Sequence, residues 1–495
     1  MDRNQARELY YERSSELFKL RCIGALLGWD QQVNLPSASV KDRADQLEYI
    51  ALALHSKTTD PEYVDALNSL YDLMESLSDD DKVNIRETKR MLDLQLKLPA
   101  EFVAELSQTE SKSYDVWTKA RPQNDFAAVE PYLKKLVELS RKQCDLLGYE
   151  AHPYDALLDI YEPGSRVSFT MPILLDLAEE LRKLIPLISA KFEDIEELNG
   201  NFPKAKQQEL CRWVSEQIGF SYDTGRLDIA PHPFMTSIGS KDFRITTRYN
   251  ESNFLQALYG VIHETGHALY ELGLPVEHVG TPLGDAISLS VHESQSRLWE
   301  NLVGRSKEFS CYLSKQLINY FPDEASKLDS ETFWRFANKV TPSLIRVEAD
   351  EVTYSQHVVI RMLLEEQLIT GKLEVPELPE AWNNLYEKYL GIRPKDNKDG
   401  VMQDVHWYSG AIGYFPTYAL GNLYNSMMME SMAESISDIP GHILNGEFSV
   451  ILNWLRENVH KHGMKYRGRE LIKNITGKEL SSEAFIRYLK KKFDI

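Results

Sequence analysis

The chain has 495 residues, a formal net charge of −19, 43% hydrophobic residues and 26% charged residues. That is ample apolar material for a large core in an ordinary globular composition. The acidic balance, without a clustered Lys/Arg surface, argues against a nucleic-acid partner.

The first twenty residues are polar and charged, with no apolar signal core. The apolar stretch 22–29 is far too short to span a bilayer, so the expectation is a cytoplasmic protein with no membrane partner. Apolar residues at helical spacing (Leu9, Leu17, Leu20, Ile23, Leu27) predict a helix over 4–28. Similar patterns predict helices around 43–57, 61–76, 81–97, 126–147, 172–196 and 204–218. Breakers separate them, among them Leu35-Pro36, Arg121-Pro122, Glu162-Pro163-Gly164 and Asn199-Gly200. Without a linker to cut at, 1–495 reads as one unit, a helical part over about 1–200 followed by a part over about 201–495. The four cysteines (Cys22, Cys144, Cys211, Cys311) are far apart and form no CxxC, which favours free thiols in a reducing compartment over disulfides.

One stretch alternates by two. In 242–249, Phe243, Ile245 and Tyr249 fall on one face and Asp242, Arg244, Thr246 and Arg248 on the other. A strand with one buried and one polar face is predicted, its edge open to pair with an extended peptide. The fold class is therefore mainly α with a small β-sheet.

Directly afterwards comes His263-Glu264-Thr265-Gly266-His267, the HExxH pattern, within the apolar helical frame of Phe254, Leu255, Leu258, Val261, Ile262, Leu269 and Leu272. On a helix, residues four apart share a face, so two imidazoles can grip one ion at about 2.0–2.1 Å. Glu264 lies to the side, where a general base acting on a water belongs. The pattern points to a zinc-dependent peptidase whose third ligand comes from elsewhere. The segment 286–301, with Leu289, His292, Ser296 and Trp299 at helical spacing, offers His292, Glu293 and Glu300. Glu293 is preferred on chemistry, because an anionic ligand completes the His₂Glu set; His292 fits an outer partner and Glu300 a solvated or ion-pair residue. Further helices are predicted around 308–320, 331–348, 351–369, 379–389, 416–435, 447–460 and 482–492.

HETGH followed thirty residues later by HESQSRLWEN resembles the thermostable carboxypeptidase Taq family, peptidase family M32, zinc metallocarboxypeptidases. Trp29-Asp-Gln, His232-Pro-Phe, Asp242-Phe-Arg-Ile-Thr, Ile345-Arg-Val-Glu-Ala-Asp350, Gly400-Val-Met-Gln403 and 413–422 resemble it too, in order across most of the chain. The resemblance implies His263, His267 and Glu293 as ligands of one zinc, with cobalt or manganese as possible substitutes, and Glu264 as base. It also implies an elongated helical body with a deep groove, a homodimer, and removal of C-terminal residues from short peptides with broad specificity. Arg346 is the implied partner of the substrate carboxylate, with Arg244 in reserve; on sequence alone an ion pair with Glu348, Asp350 or Glu351 is the better reading of Arg346. Tyr414, Tyr418 and His406 are candidate oxyanion donors, each readable also as a packed aromatic or satisfied histidine. His232-Pro-Phe lines the cleft or forms a rigid turn. The rival readings are an oligopeptidase without a carboxylate anchor and a zinc-bearing scaffold, the latter disfavoured by Glu264, since a structural site needs no base.

Overall fold

The computed structural model describes residues 2–495. It is mainly helical, with one three-stranded sheet. The chain begins with a long helix, Arg3–Val33, folded back on Val40–Thr58, and continues through Pro61–Asp72 and Asp79–Leu96. These pack around their own core of Ala6, Tyr10, Leu17, Tyr63, Leu67, Ile85 and Leu92. A second and much larger core runs from Ala120 to Phe493 and takes in the helices Phe126–Leu147 and Val167–Ser189. Among the described residues no helix is long and apolar enough to cross a membrane.

The sheet comprises β1 (Gly225–Ile229), β2 (Met235–Gly239) and β3 (Asp242–Thr247), in the order β1-β3-β2. β3 runs parallel to β1 and antiparallel to β2. The predicted strand is therefore central and both its edges are taken, so the expectation of an open edge there is corrected; only the outer sides of β1 and β2 are unpaired. Phe243 and Ile245 face the core as predicted, but Thr246 is also buried, its hydroxyl accepting from the Phe234 backbone N–H at 2.9 Å. The pairing on both sides, which a single strand's alternation cannot reveal, explains the difference.

Beside the sheet lies the helix Leu255–Gly273, which contains HETGH. It is apolar nearly all round, with Leu258, Val261, Ile262, Ala268, Leu269 and Tyr270 buried, which marks a helix inside the body. Ser288 caps the next long element, Leu289–Arg297, through its hydroxyl to the Val291 N–H at 3.2 Å. That helix runs into a π-helical turn, Leu298–Gly304. The two elements are antiparallel: His267 faces Glu293, His263 faces Glu300 and Tyr259 bonds Gly304.

Downstream, the helix predicted over 331–348 ends at Ala337, and Arg346–Glu348 forms only a short 3-10 turn. Pro342 within the intervening segment offers no backbone donor to continue the helix. The helix Pro416–Ser435 follows the predicted bounds and packs lengthwise on Leu289–Arg297. Helices at Ala100–Ala120, Tyr154–Tyr161 and Gly468–Thr476 were not foreseen. All four cysteines are free, two buried and two half-buried.

Candidate functional site

Two glycines bring three helices into contact. A Cβ on Gly266 would lie 2.6 Å from the Ser296 Cα and 2.9 Å from the Gln295 carbonyl oxygen. A Cβ on Gly421 would lie 3.1 Å from the Glu293 side chain and 3.2 Å from the Ser290 carbonyl oxygen. At Gly266 a Cβ has no room unless the two helices part, and at Gly421 it would press on the Glu293 side chain, so the Glu293 helix is clasped between two close approaches.

The result is a convergence of donors. His263 Nε2 lies 3.6 Å and His267 Nε2 3.5 Å from the same oxygen, Glu293 Oε2. These gaps are long for hydrogen bonds but match the roughly 3.3 Å edge of a tetrahedron built on 2.0–2.1 Å bonds. The three residues thus fit a divalent ion with a coordination position left open.

Each donor is held from behind. His263 Nδ1 pairs with Glu300 Oε2 at 2.9 Å, and Glu300 is fixed by Arg297 at 3.2 Å and Arg305 at 3.0 Å. Burial would raise the Glu300 carboxyl, but Arg297, the His263 bond and Arg305 outweigh it and hold it well below the usual range. Glu300 is thus a buried ion-pair residue, not a solvated one. His267 Nδ1 pairs with His292 Nδ1 at 2.5 Å, and His292 Nε2 with Glu271 Oε1 at 3.0 Å. This places His292 between His267 and Glu271, behind the donor cluster. Burial, reinforced by His292 and His263, pushes His267 well below its ordinary value and leaves it neutral, as a ligand must be. Glu293 Oε1 accepts from Arg297 Nε at 2.9 Å, and Oε2 from the Ser296 hydroxyl at 3.1 Å.

Glu264 is 7% exposed and makes no ion pair; burial, partly offset by His263, pushes its carboxyl up to about 7 in the metal-free chain. A carboxyl poised near neutrality can take and return a proton.

A second cluster adjoins the first. Arg297 lies over the Tyr354 ring at 4.4 Å, and the Tyr354 hydroxyl accepts from Arg346 Nη1 at 2.9 Å. Arg346 is 4% exposed, and its Nε and Nη2 bind Asp404 Oδ1 at 3.1 and 2.8 Å. The partner is therefore Asp404, and the sequence-based pairing of Arg346 with Glu348, Asp350 or Glu351 is corrected. The 3-10 turn directs the guanidinium toward the QDVH segment, away from its sequence neighbours. Arg361, fully buried, donates from Nε to Asp404 Oδ2 at 2.7 Å. Two guanidiniums thus share one carboxylate; burial would raise Asp404, but Arg361 and Arg346 hold it well below the usual range.

Tyr418 stacks edge-on against Tyr354 at 5.9 Å and against Tyr414 at 5.3 Å, and the Arg346 guanidinium lies 5.4 Å from its ring. His406 sits 5.4 Å from Tyr414 and 4.6 Å from Phe415. Burial, then Arg346, pushes His406 down to about 4 against the opposing charge of Asp404, and its buried Nδ1 makes no hydrogen bond, with Asp404 Oδ1 4.0 Å away. Burial raises Tyr414 and Tyr418, so both keep their protons as donors, and both feel the charge of Glu293.

The remaining expected residues lie at the sheet. Arg244 is bound through Nε and Nη2 to Asp242 at 3.0 and 2.9 Å and covers Trp29 at 4.1 Å, so its fork is occupied. His232 is exposed, and its neighbour Pro233 lies against Gly260, one helical turn before His263.

Sequence reasoning passed over Glu271, Arg297, Tyr354, Asp404 and the two glycines. Glu271 was findable, four residues beyond His267 on the same helix face. Arg297 was too, four beyond Glu293. Nothing in linear sequence joins Asp404 to Arg346.

The chain matches the family described as carboxypeptidase Taq (M32) metallopeptidase over residues 10–493. Thermostable carboxypeptidase 1 of Thermus thermophilus is 41% identical over 97% of this chain and 97% of its own. The M32 carboxypeptidase of Deinococcus radiodurans superposes with a TM-score of 0.96 at 36% identity, covering 99% of both chains. Metallocarboxypeptidase 1 of Trypanosoma cruzi does so with a TM-score of 0.96 at 34% identity, covering 100% of both. With the donor cluster and these matches in hand, the chain belongs to the M32 carboxypeptidase family and is a metal-dependent carboxypeptidase, a hydrolase.

Proposed function

We propose that the protein removes C-terminal residues from short peptides using one zinc held by His263, His267 and Glu293, with Glu264 as general base. The observation that carries this reading is the convergence of two imidazole nitrogens on Glu293 Oε2 at tetrahedral-edge distances. Zinc, when bound there, supplies Lewis acidity toward water and the scissile carbonyl. Glu264 takes a proton from the attacking water and returns it to the leaving amine nitrogen. His406, neutral, and Tyr414 or Tyr418 donate to the oxyanion developing on that carbonyl.

Arg346 receives the free carboxylate at the end of the peptide. An arginine has five N–H donors, and the bonds of Arg346 to Asp404 and Tyr354 use three, which leaves one each on Nη1 and Nη2. The shared carboxylate of Asp404 also leaves the Arg346–Arg361 pair with an excess positive charge, which suits an anionic end group. His232 is proposed to line the approach, next to Pro233, which lies against Gly260. Arg244, locked to Asp242 and Trp29, is left a structural part.

The proposed enzyme is a homodimer of broad side-chain tolerance in a reducing, cytoplasmic setting, the last supported by the free thiols. The deciding experiment compares a blocked dipeptide bearing a free C-terminus with its amide, each with and without chelator. Chelator should abolish hydrolysis of the free acid, and amidation should remove most of it. Equal rates on acid and amide would favour the oligopeptidase, and no hydrolysis with metal bound would favour the scaffold.

A further inference from the structure

We propose that Glu365 is a positioning residue for peptide hydrolysis, its buried carboxylate fixing the loop that carries His406 and Tyr414. This rests on the reading that those two side chains act on the scissile carbonyl. Glu365 lies on the helix Tyr354–Thr370 and is wholly buried. Its Oε1 accepts from the Trp407 indole N–H at 2.6 Å, and its Oε2 accepts from the Gly413 backbone N–H at 2.9 Å and the Tyr154 hydroxyl at 2.5 Å.

The two loop donors sit at telling places. Trp407 follows His406 and Gly413 precedes Tyr414, so one carboxylate ties down both ends of the segment between the two side chains. Tyr154, from the helix Tyr154–Tyr161, steadies the carboxylate from the third side. The Trp407 indole is in turn wedged edge-on against Trp382 at 5.6 Å and Phe415 at 6.4 Å, and Phe415 supports the His406 ring. None of the hydrogen bonds of Glu365 goes to His263, Glu264, His267 or Glu293; two of the three go to the loop and the third to Tyr154.

Glutamine is nearly isosteric yet cannot do the same job. With its oxygen in the Oε2 position, its amide hydrogens meet the Trp407 N–H. With the oxygen in the Oε1 position, they meet the Gly413 N–H. Either way one end of the loop faces a donor with a donor. Replacing Trp407 by Phe removes the first of these conflicts by removing the N–H, and it also gives up part of the buried indole's packing on Trp382 and Phe415.

The test uses the metal-loaded enzyme and a blocked dipeptide with a free C-terminus. Glu365→Gln should lower kcat about 10- to 100-fold, the range expected for sub-ångström to ångström misplacement. KM should stay within about threefold, and metal content should be unchanged. Glu365→Gln/Trp407→Phe should be no slower than Glu365→Gln alone. Multiplying losses in the double variant, or a kcat for Glu365→Gln within about twofold of wild type, would overturn the proposal. His406→Ala and Tyr414→Phe are measured alongside. If they reduce kcat and Glu365→Gln does not, only the role of Glu365 fails. If neither reduces it, the oxyanion reading fails and this proposal with it. Should Glu365→Gln not fold, Trp407→Phe is compared with Trp382→Phe, which trims the neighbouring indole without removing a bond to Glu365: a kcat lowered at constant KM by Trp407→Phe and not by Trp382→Phe supports the tether, and equal losses or wild-type kinetics overturn it.

Discussion

Gly266→Ala puts the helix contact that assembles the site under direct strain. The added Cβ would meet backbone only: the Ser296 Cα at 2.6 Å, the Gln295 oxygen at 2.9 Å and the Ser296 nitrogen at 3.2 Å. Carbon contacts settle at about 3.5–4.0 Å, so the two helices must part by about 1 Å. Overpacking of this kind costs about 1–3 kcal/mol, and the better helix propensity of alanine offsets about 1 kcal/mol, so stability should fall by no more than about 2 kcal/mol. The effect on metal should be much larger. Glu293 is carried on the displaced helix, one turn before Ser296, while His263 and His267 stay on the other. Their present 3.6 and 3.5 Å gaps to Glu293 would widen away from a tetrahedral edge. Metal affinity should fall on the order of 100-fold, measured by chelator competition beside the melting temperature of the metal-free protein. A variant that folds and binds metal within about threefold of wild type would refute the reasoning.

Glu264→Gln should keep metal and fold while losing about 10³-fold or more in kcat, and near wild-type turnover would remove the base assignment. Glu300→Gln, which weakens the support behind His263, should reduce metal affinity about 10- to 100-fold by the same competition assay; unchanged affinity would mean the bond to His263 is incidental. His460 gives a pH test, because burial, with help from Arg456 and His292, pushes it down to about 3. The unfolded chain takes up that proton below about 6.5 and the folded chain does not, so stability falls with decreasing pH by about 1.4 kcal/mol per unit in between. In metal-free protein, His460→Gln should flatten urea stability between about pH 6 and 4 by that slope, and parallel curves would contradict the sign.

The parts legible in sequence were those written in one stretch of chain. The helix Pro416–Ser435 and the HETGH helix follow from their apolar spacing, and the choice of Glu293 follows from ligand chemistry, to which the geometry adds the 3.5 and 3.6 Å convergence. What depends on pairing across the chain was hidden. β3 showed its alternation but not its two neighbours, and so was expected at an edge. Arg346 has three acidic neighbours in sequence, yet its carboxylate partner is Asp404, because the helix stops at Ala337 and Arg346 sits on a short 3-10 turn instead of the helical pattern that would have aligned the nearer ones. Gly266 occupies a free position of HExxH, and its need to be glycine comes from the second helix lying against it, which the motif does not encode.

The central claim is that His263, His267 and Glu293 share one divalent ion. Anomalous diffraction at the zinc edge from metal-replete protein tests it most directly. A single peak about 2.0–2.2 Å from both Nε2 atoms and a Glu293 oxygen is the predicted result. A peak elsewhere, with these three side chains bare, would contradict it.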